Sequence, residues 1–368
     1  MAEVLGGPGG ELEAALLEKK AAGRKVLIAY LTGAFPSVEG CVALMREVAD
    51  AGADLIELGI PFSDPVMDGP VIQRASEAAL QSGTAPADVL ECVRLADVPI
   101  PVAVMTYFNP VFRHGLERFA SDCSESGVGG VIIPDLPLEE SGEWEEIAKG
   151  VGVAPILLAA PNAADERLAE VCERSRGFVY AISLLGVTGE RDSLSEVASA
   201  IAGRLAPMTN LVVALGLGIS TPEQAAEACQ VADGVVVGSA IVKRVLEDHG
   251  SPAELVAAMR AAMDAEKDPH CLLCRAERVT HWFYDDDECW IAECDQCDTP
   301  MVVWRSHGMP ADEVADRLKA KLESVAIEVY GEKGYWFDPM MRNIPDHFHC
   351  HVRPAGGFFG PGSPLATG

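Results

Sequence analysis

The chain has 368 residues, 56 of them Asp or Glu and 28 Lys or Arg, for a formal net charge of −28 and a pI near 4.5. That balance excludes a surface built for nucleic acid or for an anionic membrane, since both need positive charge. With 49% hydrophobic residues and a mean hydropathy of +0.16 the chain can fill a core, and its length fits two domains.

In chain order, residues 1–10 are small and Gly-rich and are expected to fray, and 11–22 read as a short amphipathic helix. No basic stretch leads into an apolar one at the start, and no apolar run reaches the ~20 residues of a membrane helix. The expected location is the cytoplasm, and the eleven cysteines are expected to be reduced.

From residue 25 an alternation sets in. Apolar runs of strand length fall at 25–31, 54–58, 102–107, 130–133, 154–159, 178–183, 211–215 and 234–237. Stretches of helical period fall at 38–51, 71–82, 87–96, 116–126, 139–149, 165–175, 194–205, 222–229 and 240–247. Eight strands alternating with helices fit an α/β fold of the (β/α)8 TIM-barrel type, with an open doubly wound sheet as the alternative.

In such a barrel the C-terminal ends of the strands carry the chemistry. Thr32 follows the first strand, Glu57 belongs to the second, Asn109 follows the third and Asp135 the fourth. Tyr180 lies within the sixth, Gly216 and Gly218 follow the seventh, and Gly238-Ser239 opens the helix after the eighth. After Glu57 the chain leaves its strand through Gly59 and Pro61 into a loop holding Asp64 and Asp68. A carboxylate at a buried strand end is costly unless it is hydrogen-bonded or its pKa is raised, and a raised pKa suits proton transfer near neutral pH. The alternative is a satisfied core carboxylate beside ordinary turn aspartates. The glycines after strands seven and eight suit a phosphate held on backbone N–H groups at a helix N-terminus, or else simply make tight turns. Residues 185–190, with Gly186 and Gly189, have the length and glycine content of a mobile lid.

The run Ile56-Glu57-Leu58-Gly59-Ile60-Pro61-Phe62-Ser63-Asp64-Pro65, followed by Asp68-Gly69-Pro70, resembles the signature of the tryptophan synthase alpha-chain family. The resemblance covers about residues 11–265. It includes Tyr107-Phe108-Asn109-Pro110-Val111, Pro134-Asp135-Leu136-Pro137, Ala160-Pro161-Asn162, Gly186-Val187-Thr188-Gly189 and Gly238-Ser239-Ala240-Ile241-Val242. It implies a lyase that splits indole-3-glycerol phosphate into indole and glyceraldehyde 3-phosphate by a retro-aldol reaction. Glu57 would be the general acid/base, Asp68 would hold the indole N–H, and Tyr180 would stand beside the indole. Tyr30 and Leu217 would be pocket walls with Thr32 close by. Backbone N–H groups of Gly189, Gly216, Gly218, Gly238 and Ser239 would take the phosphate. The resemblance implies no cofactor for the barrel, and a pyridoxal-phosphate-dependent beta chain as partner in an alpha2beta2 assembly, faced by Asp64 and residues 107–111. Departures are Tyr30 where some members have Phe, Leu184 where some have Arg, and the order of Gly33 and Ala34. A reading of another class, a sugar-phosphate isomerase or a phosphate-binding scaffold, predicts no indole release.

After Ala265 the composition changes, and 266–270 read as a linker to a second domain over 271–354. Cys271-x-x-Cys274 and Cys294-x-x-Cys297, 19 residues apart, have the spacing of a four-cysteine zinc site, against the alternative of four buried thiols. His347, His349 and His351 alternate at strand period, which puts them on one side. With Tyr284-Asp285-Asp286-Asp287, the run from Pro300 to His307 and a helix over 311–330, this order resembles the histidine-triad family. That resemblance implies a small α+β (HIT-like) fold, zinc on Cys271, Cys274, His307 and His347 with Cys294 and Cys297 as alternative ligands, and His349 as a nucleophile toward a nucleotide α-phosphate. Cys350, Arg353, Arg342-Asn343 and the second Cys-x-x-Cys depart from the pattern. Nucleotide turnover and a structural or regulatory zinc both stay open. Residues 355–368, rich in Gly and Pro, are expected to be disordered.

Overall fold

The alternation of apolar runs and helical stretches folds as one parallel sheet ringed by helices. The computed structural model describes residues 5–182, 194–247, 251–264, 273, 280–286, 288–295, 297–306, 309–339, 341, 344 and 347–355, the side chains of 194–198 and 332 aside. The expected lid with Leu184 and Gly189, the linker, Cys271, Cys274, His307, Arg342, Asn343 and the tail from 356 lie outside these residues. The chain divides into two compact units, Met1–Asp264 and Ala265–Gly368. Among the described residues no helix is long and apolar enough to cross a membrane.

In the first unit the strands are β1 (Val26–Thr32), β2 (Leu55–Gly59), β3 (Val102–Met105), β4 (Val128–Ile132), β5 (Ala154–Ile156), β6 (Leu158–Ala159), β7 (Phe178–Ile182), β8 (Val212–Gly216) and β9 (Gly234–Val237). All pair in parallel, in the order β5-β4-β3-β2-β1-β9-β8-β7-β6. The two ends of this order, β5 and β6, are separated in sequence by Leu157 alone, whose carbonyl accepts Tyr180 N–H at 3.1 Å. They are two halves of one bent strand, so eight barrel strands close on themselves.

Side chains of a strand alternate between the barrel interior and the helices. Val26, Ile28, Leu55, Ala103, Ile132, Ile156, Phe178, Val212, Ala214 and Val236 fill the interior. Leu12 and Leu16 of α1 (Gly7–Ala21) are fully buried among them and plug its N-terminal end. The other set, such as Leu27, Ala29, Ile56, Leu58, Val179, Ala181, Val213 and Leu215, packs outward in the larger core beneath the helices.

Below the barrel, Asp54 draws four elements together. Its carboxylate, 1% exposed, accepts Leu27 N–H at 2.9 Å and pairs with Lys19 at 3.0 Å and Arg24 at 3.2 Å. It also pairs at 2.9 Å with Arg260 of α12 (Pro252–Asp264), a helix absent from the sequence-based expectation.

The expected loop at 107–111 is a helix, α5 (Phe108–His114), in the structure. Its first N–H groups need partners, and Asp135 from the loop after β4 accepts Phe108 N–H at 2.8 Å. That cap comes from 27 residues away, so no local capping signal marks this helix.

The second unit is an antiparallel sheet of β10 (Trp282–Asp285), β11 (Cys289–Glu293), β12 (Pro300–Trp304), β13 (Tyr335–Asp338) and β14 (His349–Pro354), in the order β10-β11-β12-β14-β13. The helix Asp312–Tyr330 lays Leu318, Leu322, Val325 and Ala326 against Ile291, Val302, Cys350 and Val352 on one face. Trp290, Ala292, Cys294, Met301 and Val303 form a second cluster.

Asp54→Ala removes one of the two carboxylates that pair with the buried Arg260 guanidinium, leaving Asp264 at 2.6 Å, and should cost up to about 3–5 kcal/mol, the range for breaking a buried pair. Urea unfolding checks this, and an unchanged midpoint would show that the network adds nothing to stability.

Candidate active site at the C-terminal end of the barrel

Above the apolar plug the inward columns turn polar. The pleat that points Leu55 inward also points Glu57 inward, and the columns of Phe178 and Ile28 continue to Tyr180 and Tyr30. Tyr30 sits directly across from Glu57 in the β1–β2 register, and Tyr180 from Ala214 in the β7–β8 register. Together with Asp68 they line a cavity of about 220 Å³.

Glu57 is fully buried, and neither carboxyl oxygen has a hydrogen-bond partner among the described residues. Burial, and next the charge of Asp68, push its pKa up to about 8; the nearby Tyr180 hydroxyl offsets part of this. Glu57 therefore holds its proton at neutral pH. Burial also pushes the Tyr30 and Tyr180 hydroxyls far up, so both stay neutral donors.

Asp68 lies on the loop between β2 and α3 (Pro70–Gln81). Burial raises its pKa, and the Tyr107 hydroxyl restrains the rise. Tyr107 also ties down the loop: its oxygen accepts Met67 N–H at 3.1 Å, and its ring stacks on Phe62 at 5.1 Å. Asp64, by contrast, is exposed and accepts the Ser63 hydroxyl.

Across the cavity, Gly216, Gly218, Gly238 and Ser239 form the rim. Ser239 is the first residue of α11 (Ser239–Glu247), so that helix begins at the cavity. Gly218 has φ +75°, where a side chain would be strained. A Cβ at Gly216 would lie 2.5 Å from Tyr180 Cε1, and one at Gly59 would collide with the Tyr30 hydroxyl and lie 2.7 Å from its Cζ. The two tyrosines are thus seated in spaces that only glycine leaves open.

Of the residues singled out in the sequence, Tyr30, Glu57, Asp68, Tyr180, Gly216, Gly218, Gly238 and Ser239 converge on this cavity. Thr32 is buried at the end of β1 and Leu217 packs in the outer core; neither is among the cavity-lining residues. Leu217 follows the inward Gly216, so the pleat sends it outward, and its expected place in the pocket wall is corrected. The walls are instead Met67, Ile72, Met105, Ile132, Leu158 and Ile182. Four of these stand within or at the ends of strands, in step with inward neighbours, which is the signal that finds them in the sequence. Tyr107, within the stretch that the resemblance turns toward the partner, is 2% exposed and lies beside Asp68.

The inverted order of Gly33 and Ala34 also has a physical reading. A Cβ at Gly33 would lie 2.6 Å from Val89 Cγ1 and 2.8 Å from Gly59 O, so a side chain is excluded there. Ala34 takes φ +51°, a left-handed conformation unfavourable by roughly 1 kcal/mol for a residue with a Cβ.

In the C-terminal unit, His349 is buried and contacts the His347 carbonyl through Nδ1 at 2.9 Å. His347 Nε2 lies 2.7 Å from the Trp304 carbonyl. A carbonyl only accepts, so each of these nitrogens carries a proton. Burial lowers the His349 pKa, which keeps the ring neutral. Cys294, Cys297 and His351 bring their ligand atoms within 4.8 Å of one another.

Residues 16–269 match the family profile of the tryptophan synthase alpha chain. The chain is 49% identical over 248 residues to a tryptophan synthase alpha chain of Streptomyces avermitilis, covering 66% of this chain and 90% of that one. It is 46% identical over 254 residues to that of Streptomyces coelicolor, covering 68% and 94%. Its fold is similar to solved structures of tryptophan synthase from M. tuberculosis (TM-score 0.64, 39% identity, 69% of this chain and 98% of that one) and of the alpha subunit from Legionella pneumophila (TM-score 0.63, 36%, 69% and 98%). The profile match ends at 269, before the sheet of the second unit.

The Glu57 carboxyl keeps its proton to higher pH when folded than at its ordinary value of 4.5. Its contribution to stability is complete below that ordinary value and is lost as pH rises toward 8. Between pH 5 and 8 the wild type should therefore lose about 3 kcal/mol or more relative to Glu57→Gln. Denaturant unfolding of both proteins at the two pH values measures the difference, and parallel curves would refute the raised pKa.

Proposed function

The chain belongs to the tryptophan synthase alpha-chain family and is an alpha-type lyase, and on that premise we propose that its barrel splits indole-3-glycerol phosphate through the residues assembled around Glu57. The observation that carries this reading is a buried, protonated carboxyl facing a second carboxylate across an apolar cavity.

Glu57 gives its proton to indole C3. The ring becomes an indoleninium, with positive charge at its nitrogen, and Asp68 accepts the N–H and offsets that charge. The Glu57 carboxylate then takes the proton of the glycerol hydroxyl on the carbon bound to C3. The C–C bond breaks, its electron pair returns to the indole ring, and the hydroxyl carbon becomes the aldehyde. Glu57 ends protonated, as it began. The two carboxyl groups suit these roles because burial and the charge of Asp68 push Glu57 up to about 8, while the Tyr107 hydroxyl restrains the rise that burial causes at Asp68. Tyr30, Tyr180 and the apolar walls clamp the indole. Backbone N–H groups at Gly216, Gly218, Gly238 and Ser239 and the dipole of α11 hold the phosphate, with Gly189 as the expected further contact. None of these steps uses a cofactor.

The family reading extends to the partner. Released indole is consumed by a pyridoxal-phosphate-dependent beta chain in an alpha2beta2 assembly, within tryptophan biosynthesis. The exposed Asp64, with Val66 and Phe112 at 69% and 65% exposure, supports a docking face on the β2–α3 loop and α5.

For the C-terminal unit, one observation favours the histidine-triad reading. His349 donates Nδ1–H to the His347 carbonyl, which leaves the lone pair on Nε2 for attack on a nucleotide α-phosphate. In this reading the unit spans 271–354 and the zinc ligands include His347. A panel of nucleotides carrying leaving groups on the α-phosphate tests it. Mononucleotide release that His349→Gln abolishes supports the reading; no release from the intact chain overturns it.

Glu57→Gln should lower indole release by 10²–10⁴-fold, roughly the contribution of general acid–base catalysis, while substrate binding persists. In the wild type, kcat/KM should fall about tenfold per pH unit above pH 8, where Glu57 loses its proton. Steady-state assays of indole formation check both. An unaffected rate in Glu57→Gln would exclude the lyase mechanism.

A further inference from the structure

The second cluster of the C-terminal unit holds an arrangement that the lyase reading does not use. In the β11–β12 register Trp290 opposes Val303 and Ala292 opposes Met301. In the β12–β14 register Val303 opposes His349 and Met301 opposes His351. Directly opposed residues share a face of the sheet. The two histidines therefore lie on the face of Trp290, Ala292, Met301 and Val303, opposite to the one that Cys350 and Val352 bury under the helix. Cys294 is the next residue in the series 290, 292, 294, and it falls on that same face.

The chain then turns back into β12 through a short reversal. Cys294 N–H donates to Thr299 O at 2.9 Å and Asp298 N–H donates to Cys294 O at 2.9 Å, with Asp298 at φ +50°. The turn carries Cys297 back over the sheet. Neither cysteine is in a disulfide. Their sulfurs and a ring nitrogen of His351 end within 4.8 Å of one another, with Cys294 and His351 buried and Cys297 partly so.

We propose that Cys294, Cys297 and His351 form a zinc site in the C-terminal unit. In a tetrahedral complex Zn–S bonds of ~2.3 Å place two sulfurs about 3.8 Å apart, so the three ligand atoms need to close by about 1 Å or less. Two thiolates and an imidazole are a soft donor set, which selects zinc over magnesium or calcium. The apolar neighbours Trp290, Met301 and Val303 lower the local dielectric and so strengthen metal–thiolate bonds. Thr299 Oγ1, 3.0 Å from Cys297 Sγ, donates its hydrogen to that sulfur once it is a thiolate. On binding, each cysteine gives its S–H proton to solvent and a Zn–S bond forms, and neutral His351 ligates through a lone pair. The fourth position goes to water.

The ligand set departs from the one that the histidine-triad resemblance implies. It takes the last histidine of the triad in place of His347, together with the Cys-x-x-Cys foreign to that pattern. It explains that second Cys-x-x-Cys, and it stands whether or not His349 turns over nucleotides.

The test uses the full chain, stripped with a chelator under reducing conditions and titrated with Zn²⁺, or with Co²⁺ as a spectroscopic probe. One zinc should bind per chain, with thiolate-to-metal charge-transfer absorption in the cobalt form. Cys294→Ser with Cys297→Ser, and His351→Asn, should each weaken zinc binding by about 100-fold or more, beyond the loss from changing a residue that only hydrogen-bonds a ligand. Indole release from the barrel should be unaffected, and far-UV circular dichroism with limited proteolysis of the second unit, Ala265–Gly368, shows that the variants fold. Alkylation of the wild-type chain gives a readout independent of any variant: zinc should slow iodoacetamide labelling of Cys294 and Cys297, mapped by peptide mass. Equal labelling of both cysteines with and without zinc overturns the site, even if zinc binds through Cys271 and Cys274. So does undiminished affinity in folded His351→Asn.

Discussion

A carboxyl group held in the barrel interior, with no hydrogen-bond partner among the described residues, is the constraint to which the upper half of the barrel answers. Burying an ionised Glu57 there would be far more costly than keeping its proton, so the fold holds an acid where water would leave a carboxylate. Its surroundings maintain that state. The residues below it are aliphatic or aromatic, the neighbouring hydroxyls belong to neutral tyrosines, and the nearby charge of Asp68 has the same sign. The fold gives up stability at this point in exchange for proton transfer, and the Asp54 network and α1 plug stabilise the opposite end of the same strands.

The two sides of the cavity have complementary tasks. One presents carboxyl groups, whose roles require burial. The other presents glycines and a helix start, whose roles require backbone N–H groups free to meet an anion. On the proposed reading, an anion fixed at the α11 end sets the distance at which an indole reaches Glu57 and Asp68. Binding at one end of the substrate then orients chemistry at the other.

Much of this was legible in the residues. The eight strands appear as apolar runs because both of their faces are buried, and Glu57 stands out as the charge inside one of them. What stayed hidden depends on contacts between distant segments. The helix at Phe108 starts on a cap from Asp135, and Tyr107 gains its place by meeting Met67 and Asp68. The family resemblance implies Leu217 as a pocket wall, whereas it packs in the outer core. In the second unit the period of the histidines was plain, but which cysteines they meet depends on strand order, which periodicity does not encode. The pairing β11-β12-β14 brings Cys294 and Cys297 to His351.

The seats of the two tyrosines have an evolutionary consequence. Tyr30 fits because Gly59 on the adjacent strand has no side chain, and Tyr180 fits because Gly216 has none. Each ring and its glycine are one unit of shape carried by two codons on different strands. A lineage that enlarges either glycine must shrink the facing ring in the same step or lose the pocket. Change at these four positions is therefore paired, and the strands beside the acid can drift only by concerted exchange of volume.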